Sequence, residues 1–299
     1  MFLAAATMLL CVAVSAQSDR YEQRYNLLVS KLGPAGVGVE TVLNSWEQAD
    51  STDSKMLLGK FNYYFAKAQT TEVVAKPTRK FLGMDPVLTL KDSTGTDIFY
   101  FQESFYDDEL YGLAMKAADK AVRLYPEKLD FRFLKANAYI AYEKESPDMA
   151  LAYLLSLVEE SVTRKVWLYN DEQADATFFS EAMLEYCFSF YTIGSPASLN
   201  AFLTLSERMN EIDPKNPGFI NNIGSYHLVV KNDYKTALKY YNKVLKSHPD
   251  DYTAIKNCVL LARKQNNAKL EKKFLQKLIE HGSETEKLTA KARLEQLGK

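Results

Sequence analysis

Residues capable of catalysis or metal binding are few and scattered in this 299-residue chain. The three histidines, His227, His248 and His281, are isolated, and neither Cys nor carboxylate stands beside them at the spacing of a metal site. The three glycines within residues 33–38 lack the Lys-Ser/Thr ending of a phosphate-binding loop and the strand that precedes one. The sequence therefore predicts no catalytic residue, no metal and no cofactor.

Paired carboxylates offer the next candidates for acid/base chemistry or calcium binding. They occur at 107–108, 159–160 and 250–251, near the ends of predicted helices, where carboxylates typically interact with backbone amides or solvent. The segment 92–97 loosely resembles a cation-binding loop, but it lacks the bidentate Glu of such loops. We therefore interpret the pairs as helix ends and the segment as a turn.

Cysteine usage indicates a fold that depends on its hydrophobic core. Cys187 and Cys258 each lie on an apolar helical stretch, far apart in the chain. Distant repeats rarely bring Cα atoms within bonding range, so we predict two buried thiols and no disulfide. Cys11 follows Leu10, where a lipoprotein signal carries a small residue, so lipidation is not expected.

The first 16 residues contain no charge and end in Val14-Ser15-Ala16, which is typical of a secretory signal peptide. The usual positive leader is missing, which a start codon slightly upstream would explain; the alternative is a buried N-terminal helix. The run is shorter than the roughly 20 residues of a membrane span. We expect an exported chain without a transmembrane segment after cleavage.

The overall charge is balanced, with 37 Lys and Arg against 38 Asp and Glu. Nucleic-acid binding depends on a surplus of clustered basic residues that neutralise phosphates. No nucleic-acid partner is expected from these totals.

Self-comparison along the chain reveals a repeated pattern. Residues 234–249 contain a small residue at Ala237, an aromatic at Tyr241, a small apolar residue at Val244 and a terminal Pro249, preceded by a helix start at 232–233. Small residues let two antiparallel helices approach closely, and an aromatic fills the remaining gap. The first helix of this pair should cover 219–231, with small residues at 224 and 225.

The pattern returns in several other segments. It is close in 111–126, where Ala114, Ala118 and Ala121 share one face, and divergent elsewhere. We predict repeats at about 105–126, 129–160, 180–214 and 218–249, with a degenerate fifth at 252–281. In that fifth repeat, Glu271 replaces the expected small residue.

The flanking segments predict additional elements. Helices are expected at 18–31, 37–47 and 54–68, and a β-hairpin at 87–101 with Gly95 at the turn. We interpret residues 161–176 as a long connection that contains Trp167 and Tyr169. The predicted organisation is a signal peptide (1–16), N-terminal helices with the hairpin (17–104), a repeat array (105–281) and a C-terminal capping helix (282–299).

Over roughly residues 105–281 the chain resembles the tetratricopeptide repeat (TPR) family, most strongly at Tyr234–Pro249 and Tyr111–Pro126. The resemblance implies an all-α fold, a right-handed TPR-like α-solenoid of antiparallel helix pairs, here with a small β-hairpin insertion. It also implies a concave groove, lined by the first helix of each pair, that holds a peptide or a protein. The whole looks like a TPR protein of a bacterial cell envelope, periplasmic or secreted, in a Gram-negative organism.

In some family members, Asn and Lys of the first helices clamp a partner's C-terminal carboxylate. The residues on comparable helices, and therefore the predicted partner-binding residues, are Asn222, Tyr226, Lys256, Asn257 and Arg263. The preceding repeats offer no matching Lys and Asn set, so the full two-carboxylate pattern is missing. The main hypothesis is a non-enzymatic scaffold.

Two other functions compete with the scaffold hypothesis. One is an enzyme or a receptor for glycans or other small ligands, in which Trp167, Tyr169 and the hairpin aromatics form a stacking surface; the other is a passive spacer. Seven aromatic residues in and near the hairpin either form a patch for a partner or bury the hairpin. Burial is favoured because an isolated hairpin is only marginally stable in water. The seven residues are Tyr63, Tyr64, Phe99, Tyr100, Phe101, Phe105 and Tyr106.

Overall fold

In the computed structural model, residues 18–164 and 166–298 are described. They form thirteen helices and five short strands, so the predicted all-α fold of helix pairs with a small sheet insertion is confirmed. The predicted signal peptide lies outside the described residues. Every helix in the described part of the chain is too short or too polar to cross a bilayer.

The chain divides into two compact units, described separately below. The first unit contains residues up to Lys144 together with Arg164–Asp175, and the second contains Glu145–Thr163 and Ala176–Lys299. This division falls inside the predicted repeat 129–160, because the first helix of that repeat belongs to one unit and the second helix to the other. The domain boundaries drawn from the sequence remain predictions.

The first unit combines five helices with two small sheets. The elements are α1 (residues 18–32), α2 (Val39–Ala49), α3 (Ser54–Ala68), β1 (Gln69–Lys76), β2 (Leu88–Lys91), β3 (Asp97–Tyr106), α4 (Asp108–Leu124), α5 (Leu129–Glu143), β4 (Trp167–Tyr169) and β5 (Glu172–Ala174).

Alanines on one face of α4 allow α3 and α4 to pack closely. Ala114, Ala118 and Ala121 are fully buried, as their shared face predicted. The ring of Tyr111 stacks on Tyr142 of α5 with ring centroids 4.2 Å apart. The aromatic thus fills space beside the small residues, which is the packing that the repeat pattern indicates.

The predicted hairpin is part of a larger antiparallel sheet with strand order β1-β3-β2. The turn is confirmed: Gly95 has φ +84°, and its N–H donates to the Asp92 carbonyl at 3.1 Å. Sequence reasoning missed β1, which pairs over its whole length with β3, from Gln69↔Tyr106 to Lys76↔Phe99. This strand contains four β-branched residues, Thr70, Thr71, Val73 and Val74, but it follows α3 without a Gly or Pro to mark its start, so the sequence does not separate it from the helix.

Most of the hairpin aromatics are covered, as predicted. Tyr63 and Phe101 are buried, the others except Phe105 are half-buried, and Phe105 lies at the limit of exposure. Beside them, the buried Glu103 carboxylate lies 2.6 Å from the Lys144 ammonium and 3.3 Å from that of Lys76. These two ion pairs tie β3 to the end of α5 and to the end of β1.

The prediction of a long loop at 161–176 is wrong. Helix α6 continues to Thr163, and the strands β4 and β5 form a tight hairpin. Asn170 and Asp171 have φ of +51° and +62°, the left-handed pair that a two-residue hairpin turn requires. The hairpin is fixed to the start of α5, because the N–H of Leu168 donates to the Glu127 carbonyl at 2.9 Å.

The second unit is a succession of helices joined by short turns. They are α6 (Asp148–Thr163), α7 (Ala176–Ile193), α8 (Pro196–Ile212), α9 (Pro217–Val229), α10 (Tyr234–Ser247), α11 (Tyr252–Lys264), α12 (Ala268–His281) and α13 (Glu284–Gly298). Helices α7 to α12 form three pairs, α7/α8, α9/α10 and α11/α12, and α13 follows the last pair.

The repeat pattern at 234–249 produces the expected packing between α9 and α10. Ala237, Tyr241 and Val244 are fully buried. At Gly224 a side-chain Cβ would lie only 2.7 Å from the Tyr241 ring. The small residue of the first helix and the aromatic of the second therefore make the predicted close contact.

Candidate partner-binding groove

Helix α11 presents a polar and apolar stripe to a groove shared with α12 and α13. The helix starts at Asp251, whose side chain accepts the N–H of Ala254 at 2.7 Å and so caps the first turn. Beyond this cap, Lys256, Leu260 and Arg263 follow at the spacing of one helix face. The groove encloses about 420 Å³ and is lined by Lys256, Asn257, Val259, Leu260, Arg263, Leu275, Leu278, Glu286, Thr289 and Ala290.

Three of the five predicted partner-binding residues, Lys256, Asn257 and Arg263, thus line one groove. Its floor is apolar, since Val259, Leu275 and Leu278 are buried. Leu260 is 41% exposed, so apolar surface remains open to a ligand.

Lys256 supplies an accessible positive charge at the rim. Its side chain is 62% exposed, and its ammonium lies 3.6 Å from the Glu286 carboxylate of α13. Exposed pairs of this kind are worth about 0–1 kcal/mol. A ligand carboxylate can therefore compete with Glu286 for Lys256 at little cost.

Arg263 is more strongly committed, because it pairs with the carboxylate of Glu271. Glu271 is 3% exposed and accepts Nε of Arg263 at 2.7 Å and Nε of Arg293 at 2.8 Å. The hydrogen bond from Arg293, and then that from Arg263, holds the pKa of Glu271 below its usual range. One carboxylate therefore links α11, α12 and α13, and two guanidinium groups leave the trio with a net positive charge.

This trio explains why Glu271 departs from the small-residue pattern. A buried carboxylate is stable only when it is paired and hydrogen-bonded, and both arginines meet that need. Arg263 remains 43% exposed, so part of its guanidinium still faces the groove. Arg263 therefore helps to position α13 through Glu271 and also contributes positive charge to the groove.

Asn257 connects the groove to the preceding helix pair. Its amide nitrogen donates to the Ser225 hydroxyl at 3.2 Å, and that hydroxyl lies 3.3 Å from the Tyr241 hydroxyl. The side chain is half-buried. Its orientation is therefore fixed by α9 and α10 before any ligand binds.

The structure does not bring Asn222 and Tyr226 into this groove. Tyr226 is 2% exposed, and its hydroxyl donates to Asn200 of α8 at 2.9 Å. Asn222 is half-buried and hydrogen-bonds with the Cys187 thiol. Both residues contribute to contacts between successive helix pairs, and a role in partner binding remains a prediction for them.

Sequence reasoning missed the contribution of α13, which it treated only as a cap. Glu286, Thr289 and Ala290 form one wall of the groove. The sequence carried no signal for this wall, because the pairing of Arg293 with Glu271 depends on how α13 packs.

The two cysteines of the second unit are not poised for chemistry. Both are free and buried, as predicted, and burial raises the pKa of the Cys187 and Cys258 thiols to about 12. A thiol with such a raised pKa is a poor nucleophile at neutral pH. Within the described residues there is also no group of three or more His, Cys, Asp or Glu side chains arranged to hold a metal.

The fold and the groove define a helical-repeat protein with a small antiparallel sheet insertion. Neither a family model nor a curated protein matches the chain. A similar solved structure is that of PilW, described as a widely conserved type IV pilus biogenesis factor. It shares 11% identity with this chain, at a TM-score of 0.38, over 91% of this chain and 97% of that one. A likeness this distant carries no argument about function.

Proposed function

We propose that the chain is a non-enzymatic scaffold that binds a peptide or protein partner in the α11–α13 groove. The observation that carries the proposal is the convergence of Lys256, Asn257 and Arg263 around an exposed Leu260 in one concave site. Clefts that combine apolar surface with a few fixed polar groups are the usual form of binding sites. Burial raises the pKa of the Cys187 and Cys258 thiols, which makes both poor nucleophiles at neutral pH.

The proposal extends to family and location. The contact of Gly224 with Tyr241 and the burial of Ala237 support membership of the TPR family, since these positions carry the repeat pattern. The uncharged apolar run that ends in Val14-Ser15-Ala16 supports export to the envelope, either to the periplasm or beyond.

The groove favours a particular ligand chemistry. Lys256 and Arg263 are seven residues apart, which corresponds to about 10 Å along a helix. Leu260 lies between them on the same face. A peptide with two carboxylates flanking an apolar side chain therefore matches both the charges and the apolar floor.

Binding of selected peptides tests the proposal. Peptides are selected from a random display library on the full chain, and their affinities are measured by fluorescence anisotropy. Lys256→Glu should weaken binding about tenfold or more, the equivalent of about 1.4 kcal/mol, and Asn257→Ala should weaken it less.

A matched control separates groove contacts from net charge. Lys116 is exposed on α4 in the first unit, so Lys116→Glu makes the same charge change far from the proposed site in sequence and should bind as the wild type does. If no peptide is selected, or if Lys256→Glu binds normally, the groove assignment fails.

The glycan-receptor alternative gains no support from its proposed platform. Trp167 is 4% exposed, and Tyr169 is half-buried, so the pair offers little open ring surface for stacking. A thermal-shift screen with glycans checks this directly, because a ligand that binds the native state raises the unfolding temperature. We expect no shift with sugars.

A further inference from the structure

The chain is almost neutral overall, but one region of it is strongly basic. Residues 234–281 contain eleven Lys and Arg against four Asp and Glu, whereas the whole chain has a net charge of −1. Helix α10 contains four lysines and no acidic residue, and α12 contains four lysines and two glutamates, one of which is the buried Glu271. Such asymmetry indicates a surface for an anionic partner.

Six of the eight lysines of α10 and α12 point away from the hydrophobic core. Buried Ala237, Tyr241 and Val244 of α10 and buried Phe274 and Leu275 of α12 belong to one core cluster. At 100° per residue, the exposed lysines lie on the opposite side of each helix. This lysine face consists of Lys235, Lys239, Lys243, Lys246, Lys269 and Lys273.

The two helices are expected to present these charges on the same side. They are the second helices of successive pairs, and stacked pairs repeat the same orientation. They also meet at one end, where the Lys277 ammonium lies 3.4 Å from the carbonyl of Pro249, just after α10. Within the described chain, none of the six lysines forms an ion pair with a carboxylate, so their charges are available.

The composition of the lysine face discriminates among anionic partners. Neither helix contains an arginine, the residue suited to bidentate recognition of phosphate or bases. Neither exposes a large apolar side chain that could anchor a protein interface. The rings of Tyr241 and Phe274 are buried. Tyr240 is stacked with His227, and Tyr234 packs against the core cluster, so neither helix has a ring free for stacking on nucleotides.

The lysine face therefore offers positive charge without a fixed geometry for bidentate recognition or stacking. Such a face matches an anionic surface whose charged groups can rearrange laterally, as the lipids of a bilayer do. A depression of about 390 Å³ on α12 adds a concavity large enough for a phospholipid headgroup; it is lined by Asn267, Lys269, Leu270, Lys272, Lys273 and Gln276. We propose that the lysine face docks the chain on a bilayer that contains anionic phospholipid. This surface is distinct from the α11–α13 groove.

Vesicle flotation of the full chain tests the docking. Vesicles of phosphatidylglycerol and phosphatidylcholine should carry the chain, vesicles of phosphatidylcholine alone should not, and binding should fall steeply with added salt. Each lysine near an anionic bilayer contributes roughly a fivefold factor. The variant with Lys239, Lys243, Lys269 and Lys273 all changed to Glu should therefore bind about 600-fold weaker or more.

The matched control changes Lys31, Lys80, Lys91 and Lys116 to Glu, which makes the same net-charge change at exposed lysines of the first unit. It should float with the anionic vesicles far better than the lysine-face variant does. Should the four-fold reversal not fold, Lys239→Gln with Lys273→Gln replaces it, with an expected loss of about 25-fold.

Three results would overturn the proposal. One is equal loss of binding in the lysine-face and control variants, which would reduce the effect to net charge. The second is absence of wild-type binding to anionic vesicles. The third is tighter, lysine-dependent binding to duplex DNA or to free inorganic phosphate at the same ionic strength, which would assign the face to a soluble anion.

Discussion

The contact between Gly224 and Tyr241 makes the helix pairing testable with one methyl group. In Gly224→Ala the new Cβ would lie 2.7 Å from Cε1 and 3.1 Å from Cδ1 of the Tyr241 ring. The ring is fully buried, and its hydroxyl lies 3.3 Å from Ser225, so it has little freedom to move aside. Crowding of this kind costs about 1–3 kcal/mol.

Helix propensity opposes this loss of stability and must be subtracted from it. Replacing Gly by Ala in a helix interior is worth about 1 kcal/mol through helix propensity. The net expectation for Gly224→Ala is therefore a loss of up to about 2 kcal/mol in the free energy of unfolding. Gly112 is the matched control, because it lies inside α4 and an added Cβ there meets nothing within 4 Å. Gly112→Ala should stabilise the chain by up to about 1 kcal/mol.

Urea unfolding followed by far-UV circular dichroism measures both variants, and hydrogen exchange of α9 and α10 locates the effect. The expected signs are opposite, and faster exchange should be concentrated in the α9/α10 pair for Gly224→Ala. Equal stabilisation by the two substitutions would show that α9 and α10 do not approach as closely as described.

Three further predictions concern the groove and its supports. Glu271→Ala restores the small residue of the repeat pattern yet should cost about 2 kcal/mol, since it leaves the two half-exposed arginines unpaired. Because the pKa of Glu271 is lowered in the folded chain, its contribution is present above the ordinary carboxyl pKa of about 4.3 and is lost as the pH falls through the folded value. Thermal unfolding at several pH values should show this loss in the wild type and a flatter profile in Glu271→Gln. Asp251→Ala removes the cap of α11 and should cost about 1 kcal/mol in urea unfolding, whereas Asp251→Ser should retain most of the stability. Finally, Cys187 and Cys258 should resist alkylation in the native chain at pH 7.5 and react fully in denaturant, as read by peptide mass spectrometry.

Each of these three predictions has a result that would contradict it. A Glu271→Ala variant as stable as the wild type would mean that the arginines gain as much from solvent as from the carboxylate. Identical stability of the Ala and Ser variants at position 251 would remove the capping role. Rapid native alkylation of either thiol would show that its surroundings open far more readily than the core packing implies.

Local signals were sufficient to predict much of the fold. The small residue, aromatic and proline spacing of 234–249 predicted the α9/α10 pair, and the Gly95 turn predicted the β2–β3 hairpin. These features depend on contacts between neighbours in sequence or on a single backbone conformation. The strand β1 contains β-branched residues, but no short turn links it to β3, with which it pairs about thirty residues further along the chain.

The candidate site was only partly accessible from sequence for the same reason. Lys256, Asn257 and Arg263 lie on one first helix and line one groove, while their role in partner binding remains a prediction. The same reasoning could not reveal that Tyr226 is buried, since its partner Asn200 belongs to the preceding helix pair. It also missed the pairing of Glu271 with Arg293, which depends on how α13 packs.

Mapping a bound peptide onto the chain tests the central claim most directly. A peptide selected on the full chain is added at saturation, and hydrogen–deuterium exchange is compared with and without it. We predict protection concentrated in α11 and α13, around Lys256, Leu260 and Thr289, and its loss in Lys256→Glu at the same peptide concentration. Protection confined to the β1–β3 sheet of the first unit, or no protection in α11 at all, would contradict the assignment of the groove as the binding site.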